Sequence, residues 1–316
     1  MQALYFNDFG DNSVLKYGKI DSPQINADQL LVKTKYIGLN FADIYRRRGT
    51  YHIEKHQPYI NGYEGLGEVV AVGNHVSTFK LGDKVFFVDV PFANAEYVSV
   101  PTENAINVPT NLDYKIIAAV GLQGLTADFL AHDLGKNKPG DNVFIHGISG
   151  GVGQILSQML TSDGMNVYGT TSTPAKQSLA LQQGAKKVFL RTTPWDQDYY
   201  GKFDTIYDGI GKTLEQSLSL VTSKGKVIFF GMSGGNPPKI DPIKLLTQSK
   251  SLLTGDLWDY LTSAIERKKR SQRLFKYLKE GKIKISDPTT FPLSEGQKAY
   301  EYLESGKSTG KILLVP

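Results

Sequence analysis

The stretch that most restricts the fold is "DNVFIHGISGGVGQILSQMLTSDG", residues 141–164. An apolar run is followed by a glycine-rich turn and then by one apolar helix face, formed by Val152, Ile155, Leu156, Met159 and Leu160, before Gly164 stops the helix. Gly147, Gly150 and Gly153 have the spacing of a dinucleotide-binding turn, and Gly151 is added to it. Such glycines let the backbone approach a pyrophosphate, which the N–H groups at the helix start then bind. The alternative is an ordinary tight turn, but the strand and helix on either side favour dinucleotide binding.

Strands and helices alternate after this turn. The runs "MNVYGTT", "KKVFL", "DTIYDGIG" and "KVIFFG" predict strands, while "PAKQSLALQQG" and "TLEQSLSLVTSKG" predict helices. This alternation indicates a doubly wound parallel sheet of the Rossmann type, an α/β fold. We expect this domain to occupy residues 119–267.

Short β-branched runs such as "GEVVAVG" and "GDKVFFVDV" fill the first hundred or so residues and predict a β-rich domain. The tail "SEGQKAYEYLESGKSTGKILLVP" predicts a helix capped by Ser294, with Gln297 three residues on, and a last strand. We expect that strand to return to the first domain, which would then be discontinuous, with residues 1–118 and 268–316.

Composition narrows the class of protein. No segment approaches the roughly 18 consecutive apolar residues of a spanning helix, and the start "MQALYFNDFG" has no signal-peptide pattern. With no cysteine in the chain, we expect a cytoplasmic protein without disulfides or thiolate metal sites. The net charge of +5 suits an anionic ligand. The basic run Glu266–Lys282 could bind nucleic acid, but its helical spacing favours a solvated helix, and we expect no nucleic-acid or membrane partner.

The second strand of the α/β domain indicates which dinucleotide is bound. An NAD site places an acidic residue about 20 residues after the turn, where it bonds the ribose 2′-hydroxyl. Here that strand ends in "YGTTSTPAK", so Thr171 and Ser172 offer hydroxyls and no carboxylate. Lys176 lies just beyond, and Arg191 ends the neighbouring strand, so a 2′-phosphate would meet two cations. The alternative is that both are surface charges, but together with the missing acid they predict NADPH.

The order of motifs resembles that of the medium-chain dehydrogenase/reductase superfamily, specifically its zinc-free quinone oxidoreductase (zeta-crystallin-like) branch. The resemblance runs nearly end to end and rests on "IGLNFADIYRRRGTY", "GYEGLGEVVAVG", "LGDKVFF", "GLTA", "SGGVG", "YDGIG" and "GKILLVP". It implies a Rossmann domain plus a GroES-like catalytic domain, and a homodimer joined through edge strands of the nucleotide domain.

The positions of the zinc ligands in related enzymes hold other residues here. Zinc-dependent members resemble this chain but carry a Cys ahead of an Asp and a His-Glu pair, where this chain has Asn40 before Asp43 and Tyr63 before Glu64. Zinc needs about four N, S or O ligands, which Glu64 alone cannot supply. The spacing of the five histidines gives no pair on a helix. We therefore expect no metal, and expect Glu64 to be a structural carboxylate that bonds backbone N–H groups.

The resemblance also implies the site residues. Asn40, Asp43, Tyr45 and Tyr51 match the family's cleft motif, where Asn40 would bond the nicotinamide or the acceptor carbonyl, and the two tyrosines would stack against a planar acceptor. The tyrosines could instead pack at the edge of the core, and the run Arg46–Arg48 reads as a solvated face. The implied cofactor contacts are Asn40, Asp43, Thr126, Gly150, Gly151, Val152, Gly153, Thr171, Ser172, Lys176, Arg191, Gly209, Phe230, Gly231, Met232, Ser233 and Lys311.

The function that follows is reduction of quinones or related electrophiles by NADPH without a metal. A quinone accepts hydride without a Lewis acid, so positioning the reactants does most of the work. The alternative enzyme is an NADPH-dependent reductase of activated C=C bonds, in enones or in enoyl or acrylyl thioesters of CoA. A non-enzymatic protein that binds NADPH or RNA is a third reading, disfavoured by the intact cleft motifs. The sequence leaves open the natural acceptor, the proton donor and the number of electrons passed per step.

Overall fold

The computed structural model describes all 316 residues. The strands are β1 (Gln2–Phe6), β2 (Lys16–Lys19), β3 (Gln29–Gly38), β4 (Tyr59–Ile60), β5 (Glu64–Val72), β6 (Lys84–Val88), β7 (Tyr97–Pro101), β8 (Ala105–Asn107), β9 (Asn142–His146), β10 (Asn166–Thr171), β11 (Lys187–Leu190), β12 (Phe203–Asp208), β13 (Val221–Phe229), β14 (Ser251–Thr254), β15 (Thr289–Pro292) and β16 (Ile312–Val315). The α-helices are α1 (Phe41–Arg47), α2 (Tyr114–Phe129), α3 (Gly151–Ser162), α4 (Pro174–Gln182), α5 (Leu214–Leu220), α6 (Pro242–Thr247), α7 (Ala264–Lys279) and α8 (Gly296–Glu304).

The chain divides into two compact units. The mixed-sheet unit comprises Met1–Leu122, Leu261–Gln272 and Ser286–Pro316, and the parallel-sheet unit comprises Gln123–Tyr260 and Arg273–Ile285. The sequence predicts domain boundaries after residues 118 and 267, and these boundaries stay a prediction.

The parallel-sheet unit contains six strands in the order β11-β10-β9-β12-β13-β14. All neighbouring pairs are parallel, and the chain reverses its direction of winding between β9 and β12. This is the doubly wound order expected from the sequence, in which ligands bind beyond the carboxyl ends of the strands. A core cluster joins Phe144 of β9, Phe189 of β11 and Phe203 of β12 with Trp195, and so links strands of this sheet.

The mixed-sheet unit contains a three-stranded sheet, β2-β1-β4, and a seven-stranded sheet in which β3 and β5 are central. β16 pairs antiparallel with β3 and parallel with β15, so the predicted return of the last strand to the first part of the chain is confirmed. One core cluster of this unit combines early and late parts of the sequence. It includes Leu4, Phe6, Ile37, Leu39 and Ile44 together with buried residues between 293 and 314.

Two local predictions were wrong. The helix predicted over "TLEQSLSLVTSKG" ends at Leu220, because Val221 pairs with Phe203 and begins β13. Burial in the sheet outweighs helix periodicity for this β-branched residue. The cap predicted at Ser294 is also absent: a 3-10 turn covers Leu293–Glu295, and Glu295 precedes α8 without a side-chain cap hydrogen bond.

Candidate active site

The glycine-rich turn connects β9 to α3 at the carboxyl edge of the parallel sheet. Gly147 adopts φ +70°, the left-handed region that glycine tolerates best. A Cβ on Gly153 would lie 2.3 Å from the carbonyl oxygen of Gly147, so the close approach of helix to turn requires glycine there. Gly150 stands at the N-cap of α3 without a side-chain hydrogen bond to the first helical turn, and Gly151 and Val152 follow it, half-buried. The first N–H groups of the helix therefore have no side-chain cap, which fits a pyrophosphate.

The end of β10 lies beside this turn. Ser149 Oγ is 2.5 Å from Thr171 Oγ1, and the backbone N–H of Ile148 donates to the carbonyl of Thr170 at 3.1 Å. The end of β10 thus presents hydroxyl groups and no carboxylate, as the sequence indicated. Ser149 is a residue that the sequence interpretation missed, although its place inside the turn could have identified it.

Two cations stand at the same edge. The backbone N–H of Arg191 donates to the carbonyl of Thr171 at 2.9 Å, which fixes the exposed Arg191 beside β10. Burial and then the charge of Arg191 lower the pKa of Lys176, so the two side chains repel each other in the absence of an anion. The half-buried Ser172 lies in the chain between Thr171 and Lys176. A phosphate bound here would relieve that repulsion, which is the chemistry expected for a 2′-phosphate.

The predicted residues that follow β12 and β13 lie at this edge too. The backbone N–H of Phe230 donates to the carbonyl of Asp208 at 3.0 Å, and Ser233 donates to Gly209 through its N–H and its hydroxyl. Gly231 and Met232 lie between them, half-buried. A Cβ on Gly209 would lie 2.7 Å from the Phe230 ring, so the two turns are packed together. Thr126 is half-buried on α2 in the same unit.

In the mixed-sheet unit, Asn40 is held by a buried ion pair. Glu64 and Lys311 form a salt bridge in which the side chains are 0% and 2% exposed. Lys311 Nζ also donates to Asn40 Oδ1 at 2.9 Å, while Asn40 Nδ2 donates to Glu64 Oε1 at 2.8 Å. The backbone N–H of Leu122 donates to Glu64 Oε2 at 2.9 Å, in line with the structural role expected of Glu64. Lys311, predicted from the resemblance to contact a cofactor, has these two bonds inside the unit.

Asp43 lies one helical turn beyond Asn40 and is fully buried. Its Oδ2 accepts hydrogen bonds from the backbone N–H of Asn40 at 2.9 Å and from the hydroxyl of Tyr300 at 3.2 Å. Burial raises the pKa of Asp43 to about 6, and the nearby Arg46 opposes this shift. The carboxyl group thus forms the capping box of α1 with Asn40 and bonds Tyr300.

Tyr45 and Tyr51 are half-buried, and their rings meet edge to face with centroids 6.4 Å apart. The structure therefore brings the two predicted tyrosines together. The expectation that Arg46–Arg48 form a solvated face was wrong, because Arg46 and Arg47 are 0% exposed. Arg47 pairs with Glu304, which is remote in sequence and gives no local signal.

The basic run Glu266–Lys282 also differs from the solvated helix that the sequence suggested. It forms most of α7, but Arg267 and Arg270 are buried. Arg267 Nη2 donates to Asp89 Oδ2 at 3.1 Å, and Arg273 forms two bonds with the buried Asp128. The three arginines of the run are therefore engaged by the protein, while its lysines remain exposed.

The structure has no cluster of metal-binding side chains. No group of three or more His, Asp or Glu side chains lies close enough together to hold a metal ion. The polar groups that meet at Asn40 are its own amide, the Glu64 carboxylate and the Lys311 ammonium. A protonated ammonium cannot act as a metal ligand. None of the helices has the length and apolar character needed to cross a bilayer.

Comparison with known proteins agrees with this geometry. Residues 26–133 match the family model of the alcohol dehydrogenase GroES-like domain, and residues 183–314 match that of the zinc-binding dehydrogenase. The chain is 36% identical to a probable quinone oxidoreductase of Schizosaccharomyces pombe, over 97% of this chain and 94% of the relative. It is 32% identical to a 2-haloacrylate reductase of a Burkholderia species, over 97% and 96% of the two chains. The Escherichia coli quinone oxidoreductase solved in complex with NADPH superposes with a TM-score of 0.96 at 29% identity, over 100% of both chains.

Proposed function

Because the chain belongs to the zinc-free quinone oxidoreductase branch of the medium-chain dehydrogenase/reductase superfamily, we infer that it is an enzyme that reduces quinones with NADPH. The observation that carries the choice of cofactor is the edge of the parallel sheet. A glycine turn opens a helix there, no carboxylate ends β10, and Lys176 and Arg191 stand together. NADPH supplies a hydride, and the protein supplies binding and orientation.

Each group at this edge has a part in binding. The N–H groups at the start of α3 would hold the pyrophosphate, and Lys176, Arg191 and the hydroxyls of Thr171 and Ser172 would hold the 2′-phosphate. Gly209 and residues 230–233 would line the nicotinamide, as the family resemblance implies. Two cations raise the affinity for NADPH over NADH, since NADH carries no 2′-phosphate.

The mixed-sheet unit would supply the groups that meet the acceptor. Three partners orient the amide of Asn40: Lys311 donates to its oxygen, and its nitrogen donates to Glu64 at 2.8 Å and to the carbonyl of Gly38 at the longer distance of 3.4 Å. The weak bond to Gly38 is the one that a carbonyl oxygen of the nicotinamide or of a quinone would replace. The paired rings of Tyr45 and Tyr51 offer an aromatic surface to a planar acceptor.

The first experiment is NADPH oxidation with a simple quinone, run beside NADH and with and without a chelator. We expect turnover with NADPH that the chelator leaves unchanged, and at least tenfold weaker kcat/KM with NADH, because a charge-assisted hydrogen bond contributes about 1.5–3 kcal/mol. Equal use of NADH would refute the assignment of Lys176 and Arg191. A need for added zinc would refute the metal-free reaction.

A second candidate is reduction of an activated C=C bond. The observation that favours it is the 32% identity to a 2-haloacrylate reductase over nearly the whole of both chains. An enone and a 2-haloacrylate, tested beside the quinone under the same conditions, separate the two activities. Turnover confined to these substrates would replace the quinone as the acceptor, while loss of all turnover together with retardation of RNA would favour a binding protein.

We also propose that the protein is cytoplasmic. The chain has no cysteine, which suits a reducing compartment.

We propose in addition that the protein is a homodimer. β14 is an edge strand of the parallel sheet, and α6, which precedes it in sequence, exposes Ile243 at 66% and Leu246 at 77%. We propose that a second copy pairs along β14 and that these apolar side chains belong to the same interface. Sedimentation of the wild-type chain and of Leu246→Lys should give a dimer and a weakened dimer, respectively.

A further inference from the structure

The guanidinium of Arg46 lies against two aromatic rings. Its central carbon is 3.5 Å from the centroid of the Tyr63 ring and 4.9 Å from that of the Tyr51 ring. Arg46 is 0% exposed. A cation within about 6 Å of a ring centroid is attracted by the ring, and the attraction grows when water is excluded.

The N–H groups of Arg46 act in set directions. Nε donates to the carbonyl oxygen of His52 at 3.0 Å, and Nη2 donates to His52 Nε2 at 3.3 Å. Nη1 lies 3.8 Å from Asp43 Oδ1. The planar guanidinium fork contacts a ring, a backbone carbonyl and a carboxylate at once, which suits arginine better than lysine.

The contacts of Arg46 join α1 to a segment that has no regular structure. Residues 51–58 form neither helix nor strand. Other contacts hold the later part of this segment: the Tyr63 hydroxyl bonds Glu54, Gln57 Nε2 donates to the carbonyl of Asn7 at 3.3 Å, and Ile53 packs against the core. At the start of the segment, Arg46 contacts both the Tyr51 ring and His52.

We propose that Arg46 is a positioning residue for the acceptor site. It fixes the Tyr51 ring beside Tyr45 and the backbone at His52, and so keeps the aromatic surface ready for a planar acceptor. It acts through Tyr51 and does not touch the acceptor itself. The inference rests on the proposed function, because it gives Tyr45 and Tyr51 their part in acceptor binding.

The test compares Arg46→Met and Arg46→Lys with the control Arg48→Met. Arg48 follows α1, is 49% exposed on its side chain and pairs with Glu304. We expect Arg46→Met to raise the KM for a quinone about tenfold, by loss of a desolvated cation–π contact, with less change in kcat and no change in the Kd of NADPH. Arg46→Lys should lie between wild type and Arg46→Met, and Arg48→Met should match wild type.

A double-mutant cycle shows whether the effect passes through Tyr51. If it does, Arg46→Met in a Tyr51→Leu background should raise the KM no further than Tyr51→Leu alone. If the double variant raises the KM by the product of the two single-variant factors, the proposal is overturned. An Arg46→Met variant with unchanged KM would overturn it as well. Should Arg46→Met fail to fold, the same cycle is run with Arg46→Lys.

Hydrogen exchange separates failure of this inference from failure of the proposed function. Amides 50–56 should exchange faster in the Arg46 variant than in wild type or Arg48→Met, while β3 and β5 keep their protection. If no quinone or enone is reduced by the wild-type chain, the proposed function and the acceptor role fail together, but the exchange result still shows whether Arg46 fixes the segment. Faster exchange throughout the mixed-sheet unit would mean a general structural role and would overturn the inference.

Discussion

Removing the ammonium of Lys311 should be among the most damaging single changes to the mixed-sheet unit. Lys311→Met keeps most of the side-chain volume but leaves Glu64 as an unpaired carboxylate, 0% exposed. Two neutral donors remain on it, Asn40 Nδ2 at 2.8 Å and the N–H of Leu122 at 2.9 Å. Breaking a buried ion pair by removing one partner costs about 3–5 kcal/mol. Because the remaining donors still solvate the charge in part, we expect a loss in the lower half of that range.

The matched control is Lys298→Met. Lys298 Nζ lies 2.9 Å from Glu295 Oε1, but the two side chains are 68% and 42% exposed. Exposed pairs of this kind contribute about 0–1 kcal/mol. Both substitutions remove one ammonium from the same unit, so the difference between them isolates the effect of burial.

The assay must report on the correct unit. Both tryptophans, Trp195 and Trp258, lie in the parallel-sheet unit, so tryptophan fluorescence would follow the wrong part of the chain. Hydrogen exchange of peptides from β3 and β16 at increasing urea concentration reports the free energy of opening in the mixed-sheet unit. A Lys311→Met variant as stable as Lys298→Met in these peptides would refute the reasoning.

The double variant Lys311→Met with Glu64→Gln tests the cause of the loss. It removes the uncompensated charge as well as the ammonium, so it should be more stable than Lys311→Met alone. If Lys311 instead acts by binding the cofactor, the Kd of NADPH should rise in Lys311→Met and should not recover in the double variant.

Three further predictions follow from the two units. Lys176→Ala should weaken the binding of NADPH about tenfold or more and leave the binding of NADH unchanged, since it removes a charge-assisted bond to the 2′-phosphate. Fluorescence titration with each dinucleotide measures the two affinities, and an equal loss for both would contradict this prediction. Gly153→Ala should weaken NADPH at least tenfold while the fold persists, because its Cβ would lie 2.3 Å from the Gly147 carbonyl oxygen and push the turn away; unchanged affinity measured in the same titration would show that the turn has room. Folding raises the pKa of Asp43 from 3.8 to about 6, so the folded state binds this proton more tightly. That contribution is complete below pH 3.8 and is lost as the pH rises through 6, by about 3 kcal/mol in all. Asp43→Asn should remove most of the change in the free energy of unfolding of the mixed-sheet unit, measured in urea, between pH 4 and 6. A variant that keeps the wild-type pH dependence would assign that dependence to another group.

The parts of the fold that local patterns control could be predicted from the sequence. The spacing of Gly147, Gly150 and Gly153 and the apolar face of α3 lie within one short segment, so periodicity and backbone geometry decide them together. The missing acid after β10 is equally local, since it is read at a fixed distance from the turn.

Two of the errors concern arginines whose acidic partners are distant in sequence. Arg46–Arg48 looked solvated because a charge run usually is, yet Arg47 is buried against Glu304. In the same way, Arg267 is buried by Asp89, 178 residues away. No periodicity within a helix can show which cation will meet such a partner, since the tertiary fold brings the two together.

The buried pair of Glu64 and Lys311 also sets an order of events during synthesis. The two residues are 247 positions apart, and β16, which follows Lys311, pairs with β3. At translation rates of roughly 5–20 residues per second, Glu64 leaves the ribosome roughly 10–50 s before its partner. Throughout that interval the early strands display an open edge and an unmatched acid, while the whole stretch 123–260 emerges behind them. Of the two units, the mixed-sheet unit is therefore completed later, since the parallel-sheet unit needs the chain only as far as Ile285.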